Sequence, residues 1–184
     1  SSDKVLKMMR RSIDGRQTRT LIEKMRKMVP GVVLRTTMLV GHPGEGKREF
    51  EELLDFVRES RFERLGAFTY SEEEGTFGAQ NYKDSVSRKV KQERYERLME
   101  LQSGISLEYN RSRIGSKEKV IVDSFTDGVY VGRSMNESPE VDGEILIGAS
   151  GIDDFFKGQN PIGNFVSVNI LNADEYDLAA VCSV

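Results

Sequence analysis

The sequence predicts an α/β segment, then a long helix, then a small all-β unit. Three observations predict this. Helical and strand periods alternate up to about residue 85, a charged helical stretch covers 86–111, and after Gly115 the apolar period becomes two. Charge divides along the same line. Residues 1–111 hold 22 Lys+Arg against 18 Asp+Glu, a balance of +4, and residues 112–184 hold 5 against 12, a balance of −7. The expected organisation is therefore 1–85, 86–111 and 112–184, with different jobs for the two ends.

The elements follow in order. Val5, Leu6, Met8 and Met9 mark a short helix with no strand before it. Leu21, Ile22, Met25, Met28 and Val29 form one apolar stripe, the mark of an amphipathic helix, which Pro30 and Gly31 end. Val32 to Val40 is nearly unbroken apolar, as in a strand buried on both faces. After the turn Gly41 to Gly46, a second helix has Phe50, Leu53, Leu54 and Val57 at i, i+3, i+4 and i+7. Leu65 to Thr69 is a short strand. Strands alternating with helices imply a parallel sheet. Two parallel strands cannot close a barrel, so strand partners are expected outside this chain. Residues 71–85 read as a polar loop carrying Glu72, Glu73 and Glu74. Val86 to about Tyr109 reads as the bridging helix, with Val90, Leu98, Leu101 and Ile105 inward.

Five short strands are expected beyond it: Val120 to Phe125, Val129 to Gly132, Glu144 to Ile147, Phe165 to Leu171 and Tyr176 to Val181. Asp127-Gly128 and Asp142-Gly143 are hairpin-turn signals. About seventy residues of this pattern suggest a five-stranded barrel of OB size.

Composition excludes several classes. No apolar run approaches the roughly 20 residues of a membrane span, and the polar start Ser1-Ser2-Asp3-Lys4 has no signal-peptide pattern. The only cysteine, Cys182, allows no internal disulfide and fits a reducing, cytoplasmic compartment; in a strand, it reads as a small buried hydrophobe. No cysteine cluster of the kind that holds zinc or an iron–sulfur centre is present.

The most distinctive stretch is Arg35 to Glu45, which puts a glycine turn at the C-terminal end of a parallel strand. Ligands of α/β folds bind there, and Gly41 and Gly44 would let backbone approach one closely; an ordinary strand-to-helix turn would read the same. Gly41, Gly46 and Lys47 also have phosphate-loop spacing, but Arg48 stands where a Ser or Thr should hold magnesium, Pro43 lacks an N–H, and Glu45 adds negative charge. His42, the only histidine, reads as a solvated turn residue.

These segments resemble the radical-SAM methylthiotransferases. The matching runs are Val5 to Arg11, Leu34 to Thr37, Val40 to Glu45, Phe68 to Thr76, and Leu98 to Gln102. The last part is similar to that family's TRAM barrel. Gly132-Arg133-Ser134, Ser138 to Gly143 and Ala173 to Leu178 resemble its ribosomal-protein aspartate branch. The resemblance implies a TIM-like barrel, of which residues 1–85 are the C-terminal part, followed by the helix and the TRAM barrel. It also implies S-adenosylmethionine and two [4Fe–4S] clusters as cofactors. One cluster cleaves S-adenosylmethionine to a radical, the second delivers sulfur, and the acceptor is the β-carbon of an aspartate in a basic small-subunit ribosomal protein.

The cysteines of both clusters are absent from these residues, so no catalytic residue and no cluster ligand is assigned here. By this reading the chain is an inactive C-terminal portion. His42 and Gly46 depart from the family's usual Phe and Thr. The resemblance places Thr37, Leu39 and Gly41 along the adenosine. Arg35 is a candidate for the cofactor carboxylate. Tyr70 would either flank adenine or pack at the barrel mouth. Glu140 and Asp142 are expected at the docking surface for the basic protein, or else simply to form a turn. The acidic barrel opposes direct nucleic-acid binding, and with it the tRNA branch of the family. A non-catalytic OB-like module would use Tyr130, Phe155, Phe156 and Phe165 for stacking, but lacks a basic groove.

Overall fold

A computed structural model describes residues 1–183, which fall into two compact units, Ser1–Gln102 and Ser103–Val184. The first contains α1 (Asp3–Met8), α2 (Gly15–Met28), β1 (Arg35–Val40), α3 (Lys47–Ser60), β2 (Arg64–Thr69), α4 (Phe77–Asn81) and most of α5 (Arg88–Ser112). α2 starts at a reciprocal cap. Asp14 Oδ1 accepts from the Gln17 N–H at 2.7 Å, and Gln17 Oε1 accepts from the Asp14 N–H at 3.1 Å. α3 buries Phe50, Leu53, Leu54, Phe56 and Val57 and ends where Arg61 turns left-handed at φ 48°.

β1 and β2 pair in parallel, from Arg35 opposite Arg64 to Val40 opposite Thr69. Their burial corrects the two-face expectation. Val40, Leu65 and Ala67 are buried on one face, whereas Arg35, Thr37 and Phe68 on the other are exposed. The apolar run was real, but β2 is the only hydrogen-bonded neighbour of β1 among the described residues. The 71–85 loop also contains α4, capped by Thr76, whose Oγ1 accepts from the Ala79 N–H. The five residues of α4 are too few to show a helical period.

α5 starts and ends slightly later than expected and buries a partly polar stripe: Lys91, Leu98, Gln102, Ile105 and Ser106. Gln102 fills its place by donating to the Phe62 carbonyl at 3.1 Å. No helix is long and apolar enough to cross a membrane among the described residues.

The second unit is a closed barrel of five strands: β3 (Lys117–Thr126), β4 (Val129–Arg133), β5 (Ile145–Gly148), β6 (Phe165–Ala173) and β7 (Leu178–Cys182). The order around it is β3-β4-β5-β7-β6, with β5 and β7 parallel. Every expected strand is present. Val120, Val122, Ile145, Ile147, Val166, Val168 and Ile170 alternate inward and make the core. Asp127 and Gly128 are both left-handed, at φ 52° and 84°, as a two-residue hairpin requires.

Asp142-Gly143 behaves differently from the expectation. It ends a loop over 134–144 and forms no two-residue hairpin, since Gly143 lies against the chain at Tyr176, where a Cβ would come within 1.9 Å of the carbonyl oxygen. The sequence also hid α6 (Ala149–Phe156), which drops Ile152 into the barrel core. Its Asp-Asp and Phe-Phe pairs blur any helical period.

Candidate functional sites

The first site is the turn after β1. Gly41 and Gly44 take φ 79° and 87°. Glu45 closes the turn: its N–H donates to the His42 carbonyl at 2.9 Å, and its Oε1 accepts from the Gly41 N–H at 2.8 Å. Arg94, from α5, donates to both the Glu45 carbonyl (2.9 Å) and Oε1 (2.8 Å). Burial pushes the Glu45 carboxyl above its ordinary range, and the Gly41 N–H and Arg94 offset part of that rise.

The space beside the two glycines is filled from within. A Cβ at Gly41 would sit 2.4 Å from Lys91 Cγ, and one at Gly44 would sit 2.5 Å from Met8 Sδ. Both glycines thus make room for the chain's own side chains. The phosphate-loop reading fails on the same geometry. The Gly41 and Gly46 N–H groups already donate to the carboxylates of Glu45 and Glu49, so they cannot cradle a phosphate.

His42 is buried, contrary to the solvated expectation. Its Nδ1 lies 2.7 Å from the Pro43 carbonyl, and its ring meets Tyr70 and Tyr82 edge-on at 5.1 and 6.1 Å. Lys91 lies 5.0 Å above the Tyr70 ring and donates to the Tyr70 carbonyl (2.8 Å) and to Asp84 (2.5 Å). The Tyr70 hydroxyl is buried without a hydrogen-bond partner among the described residues, and its acidity is pushed down by burial and by Glu72, Asp84 and Glu73. Sequence reasoning missed Lys91 and Arg94. The available signal was the seven-residue spacing of Lys91, Leu98 and Ile105 along one helix stripe.

The six residues assigned to the cofactor separate into two groups. Gly41, Gly44 and Tyr70 meet at the strand-end turn. Arg35, Thr37 and Leu39 instead line a groove of about 690 Å³ along β1, with Ile22, Met25 and Phe68 among its walls. Arg35 opens β1, and six residues of extended chain put it roughly 20 Å from the turn. The structure does not bring it to the Gly41–Tyr70 group.

The second site is a groove of about 600 Å³ on the barrel. Asp123, Glu140, Asp142, Glu144 and Asp177 line it together with one cation, Arg133, which pairs with Asp123 at 2.9 Å. Glu140 and Asp142, predicted as a docking pair, share this wall. Glu140 is exposed in a left-handed conformation at φ 61°. Asp142 Oδ2 accepts from the Ser138 N–H at 2.8 Å, so it also shapes the loop.

Other acidic and aromatic residues of the barrel are structural. Glu137 is buried against Arg113, and Asp153 accepts from the Tyr130 hydroxyl at 2.7 Å. Tyr130 is thereby a core residue with its polar tip satisfied, while Phe155 and Phe165 are exposed. Cys182 packs on the barrel core, and burial pushes its thiol up. No group of three or more His, Cys, Asp or Glu that could hold a metal ion occurs among the described residues.

Comparison with known proteins identifies the barrel. Residues 114–182 match the TRAM domain family. The chain is 49% identical over 179 residues to the ribosomal protein uS12 methylthiotransferase RimO of Bacteroides thetaiotaomicron, covering 97% of this chain and 40% of that protein. The RimO proteins of Bacteroides fragilis (51% over 177 residues, 96% and 40%) and Porphyromonas gingivalis (50% over 181 residues, 97% and 40%) are similar in the same way. The chain therefore spans about 40% of the length of these relatives. Along nearly its whole length the chain is thus similar to ribosomal protein uS12 methylthiotransferases, and residues 114–182 form a barrel of the TRAM type.

Proposed function

We propose that this chain is the C-terminal portion of a cytoplasmic enzyme that methylthiolates the β-carbon of an aspartate in a basic small-subunit ribosomal protein. The protein is uS12, by the name its relatives carry. The observation that carries this reading is the chain-wide identity of about half to those relatives. The acidic groove supports it, because a field of that sign attracts a basic protein and repels a phosphate backbone.

Within such an enzyme the barrel recognises the protein and the first unit contributes to the S-adenosylmethionine site. Arg35, Thr37 and Leu39 would hold the cofactor from the mostly apolar groove, with the guanidinium of Arg35 for its carboxylate. Gly41, Gly44 and Tyr70, packed among the chain's own side chains at the strand end, would fix that end of β1 and not touch the cofactor. Bound S-adenosylmethionine supplies the radical chemistry and the methyl group. Iron–sulfur clusters are held by cysteine thiolates. A single thiol on a barrel strand does not fit one, so the cluster ligands belong to parts of the enzyme beyond these residues.

The test is turnover by the complete enzyme with uS12 as acceptor, read by mass spectrometry. A methylthio adduct on an aspartate is expected. An adduct on tRNA with none on uS12 would move the assignment to the tRNA branch. In the same enzyme, Arg35→Ala should weaken S-adenosylmethionine binding, and unchanged affinity would remove Arg35 from the site.

A further inference from the structure

We propose that the buried pair Arg113–Glu137 is a positioning device that holds loop 134–144 in the shape presenting Glu140 and Asp142 to the protein substrate. This rests on the docking role given to the acidic groove above. Arg113 is the first residue after α5, and its side chain is only 6% exposed. Its Nε and Nη2 grip both oxygens of Glu118 at 2.9 and 2.7 Å, while Nη1 donates to Glu137 Oε1. The other oxygen of Glu137 accepts from the N–H (3.0 Å) and the hydroxyl (2.7 Å) of Ser134. Ser134 Oγ in turn accepts from the Asn136 N–H at 3.1 Å.

One guanidinium thus stands between two carboxylates, Glu137 buried and Glu118 half-buried. Burial works against the charge on Arg113, but the bonds to Glu118 and Glu137 hold it on more firmly than in an ordinary arginine. Without Arg113, Glu137 would face Glu118 in a poorly solvated site. The cheapest relief is for the loop to swing Glu137 out to water. Glu140 and Asp142 follow only three and five residues later, and would move with it.

The far end of the loop is pinned separately. The Glu144 N–H donates to Asp177 Oδ1 at 2.8 Å, and Gly143 abuts Tyr176. The region between the two pins is the groove wall. A wall fixed before binding spends less on ordering when the partner arrives. Arg113 and Glu137 touch no partner in this scheme; they act through the loop.

The experiment uses the 184-residue chain with uS12 as the probe, and the variants Arg113→Met, Glu137→Gln, Glu140→Gln and Glu137→Gln/Glu140→Gln. Amide exchange in the free chain should speed up at Asn136, Ser138 and Asp142 in Glu137→Gln, with the core strands unchanged. Affinity for uS12 should fall about tenfold in Glu137→Gln, and adding Glu140→Gln should cost much less than it does alone, as for residues acting as one unit. Should Arg113→Met fail to fold, Glu137→Gln still decides.

Unchanged loop exchange in Glu137→Gln overturns the positioning claim whatever the groove binds. Faster exchange with full affinity, or fully additive losses, overturns it while leaving the docking role standing. If Glu140→Gln also leaves affinity unchanged, the docking role falls and takes this proposal with it.

Discussion

The strand-end turn of the first unit and the acidic groove of the barrel were both candidate sites, yet they are built in opposite ways. Around Gly41 and Gly44 the polar groups are consumed internally. Glu45 takes the Gly41 N–H, Arg94 takes Glu45, and Lys91 and Met8 fill the space that the glycines leave. On the barrel, Glu140 stands exposed and Glu144 beside it projects from the surface. A glycine-rich turn therefore need not be an open cradle. Its glycines can serve packing, and the turn then works by rigidity. The groove instead keeps its charge exposed, and in the docking role proposed above that charge is what a partner would meet.

The difference can be broken or sharpened by substitution. The largest effect should come from Glu45→Ala, which leaves Arg94 buried without its carboxylate and frees the Gly41 N–H. Removing one partner of a buried pair costs about 3–5 kcal/mol, so chemical denaturation should show the first unit strongly destabilised. Gly41→Ala comes next. It forces a left-handed Cβ onto the Lys91 stem, and the conformation alone costs about 1–2 kcal/mol. If Gly41→Ala were neutral, the turn would be looser than this packing implies.

At the groove the order reverses. Glu140→Gln should change barrel stability by no more than about 0.5 kcal/mol, as exposed sites usually do, yet it should weaken uS12 binding. A stability loss like that of Glu45→Ala would mean that Glu140 is structural after all. The smallest signal is expected from reconstitution with iron and sulfide. The isolated chain, with one cysteine, should develop no [4Fe–4S] absorbance, and appearance of that band would overturn the view that the cluster ligands lie elsewhere.

The barrel was the most legible part of the sequence. Val166, Val168 and Ile170 alternate with Ser167 and Asn169, and a period of two in a closed sheet leaves little choice of register. The parallel strands were legible in position but not in burial, because the apolar run of β1 cannot say whether both its faces are covered. The charged residues were least legible. Glu137 and Glu140 look alike in sequence, yet one is buried on Arg113 and the other is exposed. Only the path of loop 134–144 separates them. Lys91 and Arg94 were almost as hidden: on a helix as charged as α5, only the seven-residue spacing of Lys91 with Leu98 and Ile105 distinguishes a lysine that packs on a glycine from one in water. His42 became buried through Tyr70 and Tyr82, which no local pattern joins to it.

The most direct measurement of the central claim is binding of this chain to uS12 and to tRNA across a salt series. Exposed carboxylates lose reach as the Debye length shortens to about 8 Å near physiological ionic strength. Preferential binding to uS12, weakening steadily with added salt and reduced by Glu140→Gln, is the expected result. Tighter binding to tRNA than to uS12 would contradict it.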